Sequence, residues 1–165
     1  MKGTTIILKV ECDLERHNQY LETENKNLRE DFLRLKTHSM KYNLIYGGIE
    51  QTQEYENTEE VFVNFMRTEL GIDDANRINF QNVHRLSRRN DGNPRNIIAR
   101  FANYSDHERV LKEVPKALKN KERFSVNQQY PSEIDDRRRA LFPDFKYLQR
   151  QGVRANCGHN FVHVL

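Results

Sequence analysis

An apolar residue occupies every seventh position near the start of the chain. These residues are Ile7, Leu14, Leu21, Leu28 and Leu35. A strict seven-residue period is typical of the d positions of a coiled coil, whereas a helix packed on its own domain has a wider apolar stripe. The a positions of the same register are Glu11, Asn18, Asn25 and Phe32. We therefore predict a coiled coil over residues 1–41 that joins copies of the chain. Its expected seam residues are Leu14, Asn18, Leu21, Asn25, Leu28, Phe32 and Leu35.

The charged residues beside this seam favour parallel helices. In a parallel, in-register coil a g residue faces the e residue five positions later, which pairs Glu24 with Arg29 and Asp31 with Lys36. Asparagine at two a positions fixes register and strand number at some cost in stability, and on spacing alone we expect a parallel dimer or trimer, with the dimer favoured. A single amphipathic helix packed on its own domain is the alternative. Because the repeat already runs at the first residues, we expect the chain to be part of a longer protein.

From residue 42 onward, short apolar runs alternate with helical stretches. The predicted order is strand, helix, strand, strand, helix, strand, which is that of an RNA-recognition-motif-like sandwich over residues 42–128. The strands are expected at Asn43–Ile49, Ile78–Leu86, Asn96–Ala102 and Arg123–Asn127. The helices are expected from a cap at Asn57 or Thr58 to Leu70, with Gly71 as the stop, and from a capping box at Ser105–Glu108 to Pro115. The predicted fold class of the chain is α+β.

The alternation within two of these strands predicts which side chains form the core. Period-two counting places Leu44, Tyr46, Ile97, Ala99 and Phe101 on one face. The opposite face receives Asn43, Ile45, Asn96, Ile98 and Arg100. Recognition motifs that stack bases carry outward aromatic rings on these strands, and the outward set has none here. We therefore expect no base stacking on the face of the sheet.

The segment between the second and third strands is rich in arginine. Arg85, Arg88, Arg89 and Arg95 surround the turn residues 90–94. Arginine on a hairpin forks onto phosphate oxygens without reading bases, so this loop would bind RNA strongly but with little selectivity. The alternative is a solvated basic loop that has no ligand.

The last segment is the most basic part of the chain. Residues 118–165 carry nine basic and five acidic side chains, although the net charge of the whole chain is only +3. Ser132, with Asp135 three residues later, is expected to cap a short helix that ends at Leu141. This helix bears Arg137, Arg138 and Arg139, and Asp135 is expected to pair with Arg139. A second helix from Pro143 to Gly152 and a hairpin of Val153–Asn156 and Phe161–Leu165 complete a small domain over residues 129–165.

The sequence contains no recognisable catalytic motif. It has no glycine-rich phosphate loop, no nucleophile motif and no carboxylate pair in a predictable cleft, so we expect a non-enzymatic protein without a cofactor. Cys157, His159 and His163 alternate onto one strand face, but their spacing matches no established zinc motif and a fourth ligand is missing, so we predict no metal site. Cys12 and Cys157 are too few for a disulfide framework and indicate a reducing compartment. The apolar run at residues 6–10 is too short for a signal peptide or a membrane span.

Four short motifs follow one another in the order found in a known family. They are Asn43-Leu44 through Gly48-Ile49, Val83-His84-Arg85-Leu86, Arg95 through Phe101, and Arg137-Arg138-Arg139 ahead of Pro143. With these motifs the chain resembles the first-open-reading-frame protein of LINE-type retrotransposons, the L1 transposable-element RNA-binding family. No single motif is specific, and the resemblance depends on their order and separation over nearly the whole chain.

The resemblance implies a protein that coats single-stranded RNA into ribonucleoprotein particles, in the cytoplasm or also in the nucleus, and acts as a nucleic-acid chaperone. It implies a parallel homotrimer in place of the dimer that spacing favours. It also implies an RNA cleft between the second and third domains, with Arg138 and Arg139 as phosphate ligands and the arginine loop opposite; single-stranded DNA is a second possible polymer. The candidate RNA-binding residues are then Arg85, Arg88, Arg89, Arg95, Arg100, Arg137, Arg138, Arg139 and Arg154.

Two positions depart from the family's pattern. Ile45 stands where the family often has arginine, and Cys157 stands where it has an aromatic residue near the hairpin. Both departures would weaken RNA binding at those points.

A rival hypothesis is a protein-interaction scaffold, in which the sheet domain binds a polypeptide and the coiled coil selects the partner. The affinity of a nucleic-acid coat, unlike that of such a scaffold, must fall steeply with salt.

Overall fold

The computed structural model describes residues 2–51, 53, 55–87, 92–153, 155–157 and 162–164, and it is an α+β structure. The chain divides into two compact units, Met1–Ser39 and Met40–Leu165. The first unit is helical. The second contains a four-stranded sheet with its helices, a long helix that follows the sheet, and a two-stranded hairpin.

The heptad segment forms one uninterrupted helix, α1, which spans Lys2–Met40. The helix itself is therefore confirmed. Its seam side chains remain largely in solvent, since Leu14 is 57%, Leu28 65% and Leu35 71% exposed. A row of exposed leucines at seven-residue intervals is the kind of surface that the other strands of a coiled coil cover. The coiled coil itself stays a prediction, because it requires further copies of the chain.

The middle segment follows the predicted order of elements. It consists of β1 (Asn43–Gly47), α2 (Thr58–Thr68), a short 3₁₀ turn (Ala75–Arg77), β2 (Phe80–Arg85), β3 (Ile97–Phe101), α3 (Tyr104–Ala117) and β4 (Ser125–Gln128). The strands lie in the order β2-β3-β1-β4, and every neighbouring pair is antiparallel. The two central strands, β1 and β3, are the two whose alternation predicted the core.

The register of β1 and β3 places the predicted core residues on one face. Leu44 lies opposite Ala99 and Tyr46 opposite Ile97, and all four are fully buried. Phe62 of α2 packs edge-on against Tyr46, with ring centroids 4.5 Å apart. Burial of apolar area of this kind is the main favourable term in folding. The inward set is confirmed, and Asn43, Ile45, Ile98 and Arg100 consequently belong to the opposite face.

Three helix ends differ from the predictions. The Asn57 side chain caps α2 as predicted, since its oxygen accepts from the Glu60 N–H at 3.3 Å, although the helix ends at Thr68. The capping box at Ser105 is wrong, because α3 already begins at Tyr104 after Asn103. The stop at Pro115 is also wrong: α3 continues to Ala117. A proline in the last turn removes one backbone hydrogen bond but does not prevent the turn from closing.

The C-terminal segment contains one helix where two were predicted. The helix α4 spans Ser132–Arg150 and passes through Pro143 without a break, and the residue before its first turn is Pro131 rather than the predicted cap Ser132. Proline at 143 takes away the N–H that would bond the carbonyl of Arg139, and both residues are exposed, so water can hydrate that carbonyl. The hairpin is present as β5 (Ala155–Cys157) paired with β6 (Val162–Val164). Residues 158–161, which join these two strands, lie outside the described residues.

A histidine is buried inside the sheet domain. His107 of α3 is 0% exposed, and neither ring nitrogen has a hydrogen-bond partner among the described residues. Its ring stacks on Tyr104 at 5.3 Å between centroids and meets the edge of Phe101 at 5.7 Å. Burial lowers the pKa of His107 below its usual value, and the nearby Glu108 carboxylate opposes this only in part. The folded protein therefore holds a neutral imidazole.

We expect the fold to lose stability as the pH falls below about 6.5, where a histidine in the unfolded chain takes up a proton. The folded state resists that proton until a lower pH, so the free energy of unfolding should decline by up to about 1.4 kcal/mol per pH unit in this window. Urea unfolding between pH 5 and pH 8 measures the effect. The variant His107→Phe should flatten the dependence of unfolding free energy on pH. The control His84→Gln, at an exposed position of β2, should leave that dependence unchanged. Equal flattening by both variants would contradict the assignment of the effect to His107.

Candidate nucleic-acid interface

Arg85, the last residue of β2, is an internal clamp. Its Nη1 donates to the carbonyls of Ile49 and Arg95 and its Nη2 to the carbonyl of Glu50, each at 2.8 Å. Its Nε donates to the Glu56 carboxylate, and the two side chains are 1% and 6% exposed. The guanidinium thus holds together three backbone segments: the one after β1, the one before α2 and the one before β3. A planar group with five donors suits this task, and lysine could not replace it.

The arginine loop therefore divides into residues with different roles. Arg85 presents no surface to a ligand in this conformation, so we remove it from the candidate RNA-binding set. Arg95 is half-buried, and its Nε is buried without a partner among the described residues. Arg88 and Arg89 lie outside the described residues, as does Arg154 of the C-terminal segment. The sequence could not distinguish these roles, because a buried arginine and an exposed one look the same when adjacent residues are polar.

Arg100 lies on the face of the sheet that faces away from α2 and α3. Its Nε donates to Gln81 Oε1 at 2.6 Å, and its Nη1 donates to Asn43 Oδ1 at 3.4 Å. The guanidinium carbon is 5.9 Å from the ring centre of Tyr42. The middle of this face is less accessible, since Ile98 is buried and Ile45 half-buried. The polar groups of this face thus gather around Asn43 and Arg100.

The arginines of α4 lie in the second turn of this helix, which begins at Ser132 shortly after β4 ends at Gln128. Arg138 lies over the ring of Tyr130, with the guanidinium carbon 4.6 Å from the ring centre, and the Tyr130 hydroxyl donates to Gln128. Arg139 is 77% exposed and pairs with Asp136 at 3.1 Å. The predicted partner, Asp135, is therefore wrong: the short aspartate reaches an arginine three residues on rather than four. Arg137 is half-buried.

Asn43 links the two arginine sites through hydrogen bonds. Its Oδ1 accepts from Arg100, and its Nδ2 donates to Gln129 Oε1 at 2.6 Å. Gln129 is next to Tyr130, on which Arg138 stacks. Arg100 and Arg138 are thus brought to one end of the sheet, although 38 positions separate them in the sequence. Sequence reasoning missed Asn43, Gln129 and Tyr130; the tyrosine directly before a proline and a helix was the available signal.

A metal centre finds no support in the described part of the chain. No group of three or more histidine, cysteine, aspartate or glutamate residues is close enough there to hold an ion. The hairpin register pairs Asn156 with His163 and Cys157 with Val162, so Cys157 and His163 are not opposite each other. His159 lies outside the described residues.

Comparison of the chain with models of known protein families finds no match, and comparison with curated proteins finds no relative. Among the helices that the structure describes, none has the length and apolarity required to cross a bilayer. The geometry of the site and the sequence pattern are therefore the basis for a functional proposal.

The clamp leads to a prediction about stability. Arg85→Ala leaves the Glu56 carboxylate buried without its counter-ion and three carbonyls without their donor, so it should lower the free energy of unfolding by about 3–5 kcal/mol. Arg109→Ala removes an ion pair with Asp74 in which both side chains are nearly half exposed, and it should cost much less. Chemical denaturation of both variants measures the difference. The double variant Arg85→Met with Glu56→Leu should lose less than Arg85→Ala; equal losses would show that the buried carboxylate is not the cause.

Proposed function

We propose that this chain is an oligomeric protein that binds and coats single-stranded RNA and acts as a nucleic-acid chaperone, as the resemblance to the LINE-type family implies. The observation that carries the proposal is the arrangement of Arg138 and Arg139 at the start of α4. Arg138 is held over the Tyr130 ring where the chain leaves the sheet, and Arg139 at the next position is 77% exposed and paired with Asp136 on the helix surface. A guanidinium fixed over an aromatic ring is ordered before it meets a phosphate, which lowers the entropic cost of binding.

The other groups at this end of the sheet are compatible with contacts to phosphate. Arg100 adds a second cation there, connected to the first by Asn43 and Gln129. Its hydrogen bonds to the amide oxygens of Gln81 and Asn43 hold the guanidinium in place at this end of the sheet. Contacts of arginine with phosphate position the polymer without reading its sequence. This suits a protein that covers unrelated stretches of RNA.

The exposed apolar row of α1 supports the oligomeric part of the proposal. A trimeric coiled coil would cover Leu14, Leu28 and Leu35 and bring three RNA-binding units together. Linked sites on one polymer gain affinity because the second contact forms at a high effective concentration. The isolated sheet domain should therefore bind RNA much less tightly than the full chain.

Replacing Arg138 and Arg139 together by alanine should lower the affinity for single-stranded RNA about tenfold or more, since charge-assisted contacts to phosphate are strong. Affinity for unrelated sequences should fall by a similar factor, and the plot of log affinity against log salt should become less steep. Filter binding at several salt concentrations measures both quantities. Lysine at both positions should restore only part of the loss, because an ammonium cannot fork onto two oxygens.

A matched control removes the same charge elsewhere. Arg67 and Arg77 are exposed on α2 and on the 3₁₀ turn that follows it, and changing both to alanine should leave RNA affinity within about twofold. If the RNA affinity of the wild-type chain did not fall steeply with salt, the RNA-coat proposal would be rejected in favour of the protein-interaction scaffold. Loss of binding in the control alone would move the interface to the helical side of the sheet.

The oligomer should depend on the apolar row of α1. Changing Leu21 and Leu28 to aspartate would bury several charges at a coiled-coil seam, and we expect monomers in solution. Thr23→Asp with Asn27→Asp adds the same charge at positions away from the a and d seam and should keep the oligomer. Light scattering gives the absolute mass, in which three chains are expected for the wild type. An unchanged mass after the leucine substitutions would show that the row is not an interface.

A further inference from the structure

Two tyrosine rings meet just beyond the ends of the central strands. Tyr42 directly precedes β1, and Tyr104 is the first residue of α3, which follows β3. Their ring centroids are 5.6 Å apart and the ring planes are inclined by 74°. Tyr104 is 38% exposed, and Tyr42 is half-buried. The outward face of β1 and β3 lacks aromatic residues, yet two rings lie at the end of the same strands, where strand alternation gives no signal.

Positive charge surrounds this tyrosine pair. The Lys41 ammonium lies over both rings, 5.2 Å from the centre of Tyr42 and 5.0 Å from that of Tyr104. The Arg100 guanidinium lies over Tyr42 at 5.9 Å. The carboxylate of Asp106, in the first turn of α3, accepts a hydrogen bond from the Asn103 side chain at 3.3 Å. Aromatic rings combined with cations are the two elements with which proteins bind single-stranded nucleic acid, by stacking on bases and by attracting phosphates.

The Tyr104 ring is held in place from inside the domain. His107 stacks on it with the planes inclined by only 15°, and His107 is itself fixed by the edge of Phe101. Both Phe101 and His107 are fully buried. One face of Tyr104 is therefore covered by His107, and the Lys41 ammonium lies over the ring. A base can stack on Tyr104 when this long side chain turns from the ring towards the adjoining phosphate. A ring ordered in this way loses little conformational entropy when a base stacks on it.

We propose that Lys41, Tyr42 and Tyr104 form a second contact site for single-stranded RNA, in which a base stacks on Tyr104 and the adjoining phosphate binds the Lys41 ammonium. The site rests on the proposed RNA-binding function and extends it from phosphate contacts to base contacts. Arg100 connects the two sites, since it lies over Tyr42 and is linked through Asn43 and Gln129 to the neighbourhood of Arg138. A strand bound at α4 can thus continue to the tyrosine pair.

The absence of tryptophan from the sequence allows a direct test. Tyr104→Trp places a single indole in the chain, and titration with oligouridine should quench its fluorescence because the base stacks on the ring. An abasic oligomer of the same length and charge should quench it much less. Tyr55→Trp, at a position that is 91% exposed, is the control and should respond equally little to both polymers. Equal responses of Tyr104→Trp to the two polymers would overturn the proposal.

Affinities provide a second measurement. Tyr104→Leu should weaken RNA binding about 5- to 150-fold without changing its salt dependence, whereas Lys41→Gln should make that dependence less steep. Tyr104→Phe keeps the ring and should bind as the wild type does. If Tyr104→Leu does not fold, the fluorescence of Tyr104→Trp decides. Weakening by the Arg138 and Arg139 substitutions without any base-dependent signal at Tyr104 would reject this site and leave the RNA-coat function standing. Failure of the wild type to bind RNA would reject both.

Discussion

The strict alternation of side chains along β1 is the constraint on which the rest of the sheet domain depends. This strand pairs with β3 on one side and β4 on the other, so its register determines the faces of three strands at once. Leu44 and Tyr46 must face α2, since a shift by one residue would bury Asn43 and Ile45 in their place. The same alternation puts Asn43 beside Arg100 on the other face. Core and candidate interface are therefore two results of a single register.

The arginines of this chain show how one residue type takes several roles. Arg85 is buried inside the domain, where it donates hydrogen bonds to three backbone carbonyls and pairs with a buried carboxylate. Arg100 and Arg138 instead lie over tyrosine rings at one end of the sheet. Arg85 shapes the backbone around the β2–β3 connection without any need to touch a ligand. An alanine substitution there would act through stability and give no information about ligand contact, so stability must be measured alongside affinity.

Much of the fold could be predicted because periodicity is a local property. The seven-residue repeat predicted α1, and period-two alternation predicted both faces of β1 and β3. The predictions failed where a rule about one residue type ignored the residues around it. Pro115 and Pro143 both lie inside helices, because the neighbouring backbone hydrogen bonds outweigh the one that proline removes. The burial of Arg85 and the meeting of Tyr42 with Tyr104 depend on contacts between distant parts of the chain. Sequence spacing carries no information about them.

The continuity of α4 through Pro143 has a mechanical consequence. Nineteen residues of unbroken helix extend about 28 Å, and the helix contacts β5 of the hairpin. Two helices joined at Pro143 could have moved independently. A single helix instead couples rotation of the arginines at one end to displacement of the hairpin at the other. The stiffness of this element, with its least supported point at the carbonyl of Arg139, would then limit how far the C-terminal segment can bend away from the sheet.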